Sequence, residues 1–167
     1  RINHVVKSNF KNDYLKHYVK KVLRKKEVDY MKLKEIGYQA FNTFAFSKIL
    51  SLFPNLEFFK TKTYHRIINY ILSNEYSKGI LESHYGFPYN PPGFEVPFAL
   101  NVLGDLGEQE LKQYTEFWMN KQFDKCYNPI TSSMDRNTED PITHNARLYE
   151  VTRLLDMKDV QKISLDC

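Results

Sequence analysis

The feature that most constrains this chain is the alternation of two kinds of helical segment, with nothing between them that reads as a strand. Segments near residues 37, 93 and 142 are apolar or small nearly all round, whereas those near residues 64 and 111 carry a single apolar stripe. Segments of the first kind start about 50 residues apart, the scale of a helical-hairpin repeat. In a hairpin array each unit buries an inner helix against its neighbours and covers it with an outer one. No segment alternates apolar and polar residues over strand length, so the expected fold is all-α, built of antiparallel helical hairpins.

The segments follow from their spacing. Phe10, Tyr14, Tyr18 and Val22 fall four apart beside Leu15, Val19 and Leu23, which predicts a first helix starting near Ser8 or Asn9. A second helix is expected over residues 33–53, with an apolar middle from Gly37 to Phe46 and a stop at Pro54. A third, over residues 63–76, places Tyr64, Ile67, Ile68, Ile71 and Leu72 on one stripe. After an aromatic, proline-rich loop (His84 to Gly93), a fourth is expected over residues 94–103, with Pro97 in its first turn. The fifth, over residues 108–123, turns Leu111, Tyr114, Trp118 and Phe123 inward. A polar loop over residues 126–139 then leads to Asp140-Pro141, an N-cap followed by a first-position proline, and a sixth helix reaching about Met157. Tyr89-Asn90-Pro91 in one loop is echoed by Tyr127-Asn128-Pro129 in the next, which suggests that both loops lie at one end of the stack.

A chain of 167 residues, 42% of them hydrophobic, buries roughly two thirds of its unfolded surface and folds without disulfides or metal. We read residues 1–167 as one all-α domain: a basic helical region at 1–32, the hairpin array at 33–157 and a tail at 158–167. A start at Arg1 rather than methionine suggests a piece of something larger. No apolar run approaches the roughly 20 residues of a membrane span. The net charge of +4 is concentrated in Lys16, Lys20, Lys21, Arg24, Lys25 and Lys26, which read as a solvated helix face, so nucleic acid is disfavoured. Cys126 and Cys167 show no pairing pattern, and the five histidines lack ligand spacing; neither metal nor cofactor is expected. Phosphate-loop, dinucleotide, zinc-protease, calcium-loop and serine-elbow motifs are missing from the sequence. Composition does not fix the compartment.

Three blocks carry a resemblance: Gly37-Tyr38-Gln39-Ala40-Phe41-Asn42, the run from Tyr89 through Pro91-Pro92-Gly93-Phe94-Glu95 to Leu100, and Asp140-Pro141-Ile142-Thr143 with Ala146-Arg147-Leu148-Tyr149-Glu150. They resemble the inner-helix starts of (α/α) toroids of the six-hairpin glycosidase and sugar-epimerase type, over residues 33–157. Such rings close with about six hairpins, and this chain has room for about three, so it is similar to the C-terminal half of one. The resemblance implies that the loops entering the inner helices form the mouth of a cleft where aromatics and carboxylates meet a sugar.

Two clusters suit that chemistry. The first holds His84, Tyr85, Tyr89, Asn90, Phe94 and Glu95: aromatic faces stack on sugar rings, and a carboxyl raised by burial can move a proton. Glu95 reads equally as a first-turn glutamate favoured by the helix dipole. The second holds Asp135, Asp140, His144, Arg147, Tyr149 and Glu150, with Asp140 and His144 four apart and His144 and Arg147 three apart. There Asp140 also reads as a plain cap, and Arg147 with Glu150 as an intrahelical pair. The catalytic candidates are Glu95, His144 and Asp140, with Tyr85, Tyr89, Asn90, Phe94, Arg147, Tyr149 and Glu150 as substrate-binding candidates. Glycosidase carboxylates stand about 5 to 10 Å apart, making Glu95 with Asp140 or Glu150 the pairs of interest. The function expected is that of a carbohydrate-active or carbohydrate-binding toroid segment of glycoside hydrolase or sugar epimerase type, its enzymatic status open. The alternative is a non-enzymatic helical-repeat module that binds a protein or glycan. Its partners would be a saccharide and, as a piece, the rest of a larger chain or another protein.

Overall fold

A computed structural model describes the backbone of residues 2–103 and 106–155, and side chains of residues 16–103 and 106–149. The expected tail at 158–167, Cys167, and the side chains of Phe10, Tyr14, Leu15 and Glu150 lie outside the described residues. The protein is all-α: α1 (Ile2–Leu52), α2 (Lys62–Ile71), α3 (Asn74–Glu82), α4 (Pro92–Leu103), α5 (Glu108–Cys126) and α6 (Pro141–Leu155), with a 3-10 turn at Glu57–Lys60. Among the described residues, extended pairing is confined to one bridge between Asn128 and Ser133.

Two helices were expected before Pro54, and one is found. Between Val22 and Ile36 the sequence has no glycine or proline, so nothing ends the first helix before the second begins. The chain divides into two compact units, Arg1–Lys32 and Leu33–Cys167. In the first, the described residues 16–32 are all exposed. The remainder of this section concerns the second.

The expected third helix is also two. Ser73 accepts the Tyr76 amide on its hydroxyl at 3.1 Å, capping α3, while its own amide closes the end of α2 on the Tyr70 carbonyl at 3.0 Å. Helix α4 starts at Pro92, two residues earlier than expected. Pro97 therefore falls in the second turn and withholds the hydrogen bond that the Gly93 carbonyl would otherwise receive. Helix α6 begins as the sequence predicts: Asp140 accepts the Thr143 amide at 3.0 Å and the Thr143 hydroxyl at 2.6 Å.

Pairings between elements fix their directions. Gly37 lies against Tyr85 and Asn90 while Phe44 packs on Phe98 at 5.0 Å, so residues 33–52 of α1 run parallel to α4. Gly93, at the start of α4, meets Gln122 near the end of α5, which makes that pair antiparallel. Gln122 also reaches His144 near the start of α6, so α4 and α6 begin at the same end. Helix α3 runs back along α1, with Gly79 on Ile36 and the Ser83 hydroxyl donating to the Leu33 carbonyl at 2.6 Å. Residues 33–52 of α1, α4 and α6 thus run in one direction, and α3 and α5 return. Helix α6, expected to be enclosed on all sides, instead leaves Ile142 83% and Tyr149 73% exposed.

The core follows from that order. Residues 91–100 are buried without interruption, and Trp118 packs from the inner face of α5 on Tyr76 at 5.8 Å and Phe87 at 6.4 Å. A smaller cluster of Phe59, Tyr64 and Ile68 closes the other end of the first hairpin with Phe46 and Leu50. Gly93 permits α4 and α5 to approach closely, because a Cβ there would stand 2.3 Å from Gln122 Cβ and 2.5 Å from the Trp118 carbonyl oxygen.

Candidate functional site at the inner-helix starts

The loops entering α4 and α6 meet. The Glu139 amide donates to the Pro88 carbonyl at 2.7 Å, and His84 Nε2 lies 3.3 Å from Glu139 Oε1, a charged pair when the imidazole is protonated. Asn90, 6% exposed, ties the first loop inward: its amide donates to the carbonyls of Tyr85 at 2.7 Å and Gly37 at 3.2 Å. In the second loop, Asp135 accepts from the Thr131 and Ser133 hydroxyls, each at 2.8 Å. Those bonds, Thr131's first, hold its carboxyl below the usual range, so it organises the loop as a carboxylate. Arg136 closes the same loop on the Asp124 carbonyl, and Asn137 closes it on that of Lys125.

Above these ties stands an aromatic rim. The rings of Tyr38, Tyr85 and Tyr89 lie 5.8 to 5.9 Å apart, with His84 edge-on to Tyr85 at 5.3 Å. Tyr89 is 39% exposed, and Phe41 joins from α1, edge-on to Tyr38. Tyr38 and Phe41 were not among the candidates, although both belong to the first inner-helix block.

A buried polar group is shared by residues of α1, α4 and α6. Glu95 is 1% exposed, and neither of its oxygens has a hydrogen-bond partner among the described residues. Arg147 Nε approaches Oε1 to 3.4 Å, outside good hydrogen-bond geometry, while its guanidinium covers the Phe44 ring at 4.4 Å. Burial pushes the Glu95 carboxyl up to about 7, with the Arg147 charge pulling against it. Tyr76 is raised too, by burial and then by the nearby Glu95 charge.

His144 is fully buried beside Gln122, with Nε2 of the amide 3.4 Å from Nδ1 of the ring. The amide oxygen of Gln122 already accepts the Gly93 N–H at 3.0 Å. Its NH2 therefore faces the imidazole, Nδ1 is the acceptor, and the ring proton belongs on Nε2. Burial lowers the imidazole's pKa, opposed by its contact with the Tyr89 backbone and by the Asp140 charge. Asp140 is lowered by the Thr143 hydroxyl and then by the Thr143 amide, so it caps α6 as a carboxylate.

The structure thus brings Tyr85, Tyr89 and Asn90 together at the rim, Glu95 onto Arg147, and His144 beside the Tyr89 backbone. Phe94, 1% exposed, points into the core against Phe123 at 5.7 Å, and Tyr149 is 73% exposed on α6. Phe44, Tyr76 and Gln122 complete the site and carry no signal of it in the sequence. Among the described residues, no group of three or more His, Cys, Asp and Glu side chains could hold a metal ion. A groove of about 340 Å³ lies elsewhere, between α3 and α5, lined by Ser77, Gln113, Tyr114 and Phe117 among others.

No protein-family profile and no solved structure matches the chain. It is similar to archaeal glycosylation protein Q of Haloferax volcanii, 34% identical over 157 residues. That alignment takes in 93% of this chain and 40% of the relative, so the chain spans well under half the length of the curated protein it matches.

Proposed function

We propose that this chain is a carbohydrate-directed segment of a glycosylation protein, an (α/α)-toroid segment of glycoside hydrolase or sugar epimerase type whose site lies at the loops preceding the inner helices. The observation that carries the reading is Glu95: a carboxyl with a pKa of about 7, buried in the core between α4 and α6 against Arg147. Breaking a glycosidic bond and inverting a sugar carbon both require a group that gives or takes a proton near neutral pH. Three inner helices, with similarity to a protein named for glycosylation over 40% of its length, fit part of a six-hairpin ring.

In this reading Tyr85 and Tyr89 stack on sugar faces, and Asn90 holds their loop. Glu95 is the acid/base group, Arg147 sets its charge and reaches outward, and neutral His144 is a second proton carrier biased by Asp140. Phe94 supports the rim from within, while Tyr149 and Glu150 extend the binding surface along α6.

The test is ligand-observed NMR and thermal shift on the full chain with a panel of mono- and oligosaccharides. Binding that Tyr89→Ala removes and Glu95→Gln keeps, with product formation lost in Glu95→Gln, is the expected pattern. A chain that stays silent across the panel refutes the proposal. A second reading, a non-enzymatic module for a protein or the rest of a larger chain, draws on large apolar side chains at the surface: Ile142 is 83% and Leu52 73% exposed. Silence toward sugars with concentration-dependent mass would favour it.

A further inference from the structure

We propose that residues 16–26 of α1 form an interfacial helix that lies on an anionic phospholipid surface. Lys16, Lys20, Lys21, Arg24, Lys25 and Lys26 supply six cations within one continuous helical stretch, and no aspartate or glutamate interrupts them. Between them Tyr18, Val19, Val22 and Leu23 are 60%, 47%, 37% and 59% exposed. At 3.6 residues per turn these four share one stripe, 18 above 22 and 19 above 23, while Lys20, Lys21, Arg24 and Lys25 fall around the remainder. Lys26 continues the stripe at its end, where a long stem can lie along the apolar face with its ammonium in the headgroups.

Charge and apolar surface together select the occupant. Phosphates of a nucleic acid would be met by the cations alone and would leave Tyr18, Val19, Val22 and Leu23 in water. A bilayer interface takes both, the apolar stripe entering the acyl boundary and the cations pairing with lipid phosphates. No described helix is long and apolar enough to cross a membrane, so this one lies along the surface. Four apolar residues are too few to anchor without the charges, and binding therefore depends on both.

The experiment is co-sedimentation of the full chain with vesicles of pure phosphatidylcholine and with vesicles of equal parts phosphatidylcholine and phosphatidylglycerol. The anionic vesicles should bind at least about tenfold more tightly, and the preference should fall with added salt. The double variant Val22→Gln, Leu23→Gln keeps helix propensity and every charge. It should lose about tenfold in vesicle binding while circular dichroism stays unchanged. Wild-type binding by that variant, equal binding to both vesicles, or retention on duplex DNA without vesicle binding would each overturn the proposal. So would a self-association that the double variant abolishes in a chain that ignores vesicles.

Discussion

Replacing Glu95 by glutamine tests the electrostatics of the site directly. In the unfolded chain the carboxyl titrates near 4.5, and in the folded protein at about 7. Below pH 4.5 both states carry the proton and the group is neutral in the balance. Between the two values the folded state holds a proton that the unfolded state has released, so stability falls as pH rises. Each pH unit in that window is worth about 1.4 kcal/mol, and the whole window removes roughly 3 kcal/mol, a large share of a typical domain's stability. The attraction of Arg147 is already contained in the value of about 7. Glutamine mimics the neutral acid, and Arg147, 23% exposed and stacked on Phe44, keeps access to water without its partner. Denaturant titrations should therefore find variant and wild type alike near about pH 5, with the variant more stable by up to about 3 kcal/mol near about pH 8. Parallel pH profiles, or a variant weaker above neutrality, would mean that the carboxylate is ionised throughout and that the Arg147 pair outweighs burial.

Other substitutions probe the scaffold around it. Asp140→Ala should lower stability and speed amide exchange in the first turn of α6, an effect that vanishes in acid once the aspartate is protonated, since its stabilising bonds to Thr143 need the carboxylate. Gly93→Ala forces a methyl against backbone and side chain of α5 and should cost about 1–3 kcal/mol or more in chemical denaturation. Gly79→Ala meets only the movable Ile36 side chain at 3.0 Å and should cost less, so the reverse order would contradict the packing described for the two hairpins. Imidazole nitrogen shifts should show His144 protonated on Nε2 alone, and still neutral when the pH falls below its ordinary 6.5; a free Nε2 lone pair would refute the Gln122 orientation.

What was legible in the sequence is what burial on all sides enforces. The run 91–100 has no polar face to give to water and is buried throughout, whereas 37–46, apolar or small along most of its length, still leaves Phe41 and Asn42 exposed. The Asp140-Pro141 start was legible because capping is local chemistry. The break at Ser73 was not, because a serine within a periodic stripe signals a cap only once the chain turns there. Gln122 is a polar residue on a striped helix, and nothing local says that it is fully buried between Gly93 and His144. The union of Glu95 with Arg147 and Phe44 depends on how three helices rotate about their axes, which periodicity alone leaves open.

The two acids at the inner-helix starts show which force decides their chemistry. Glu95 lies in the first turn of α4, and Asp140 caps α6, so both face the positive end of a helix dipole, which favours ionisation in each case. Their pKa values nevertheless move in opposite directions. Asp140 receives a hydroxyl and an amide hydrogen bond and keeps contact with water; Glu95 receives no hydrogen bond from the described residues and is cut off from solvent. The dipole and a neighbouring guanidinium together do not restore what lost hydration and missing donors remove. Burial thus leaves Glu95 holding its proton near neutrality, while the bonds from Thr143 keep Asp140 a fixed anion.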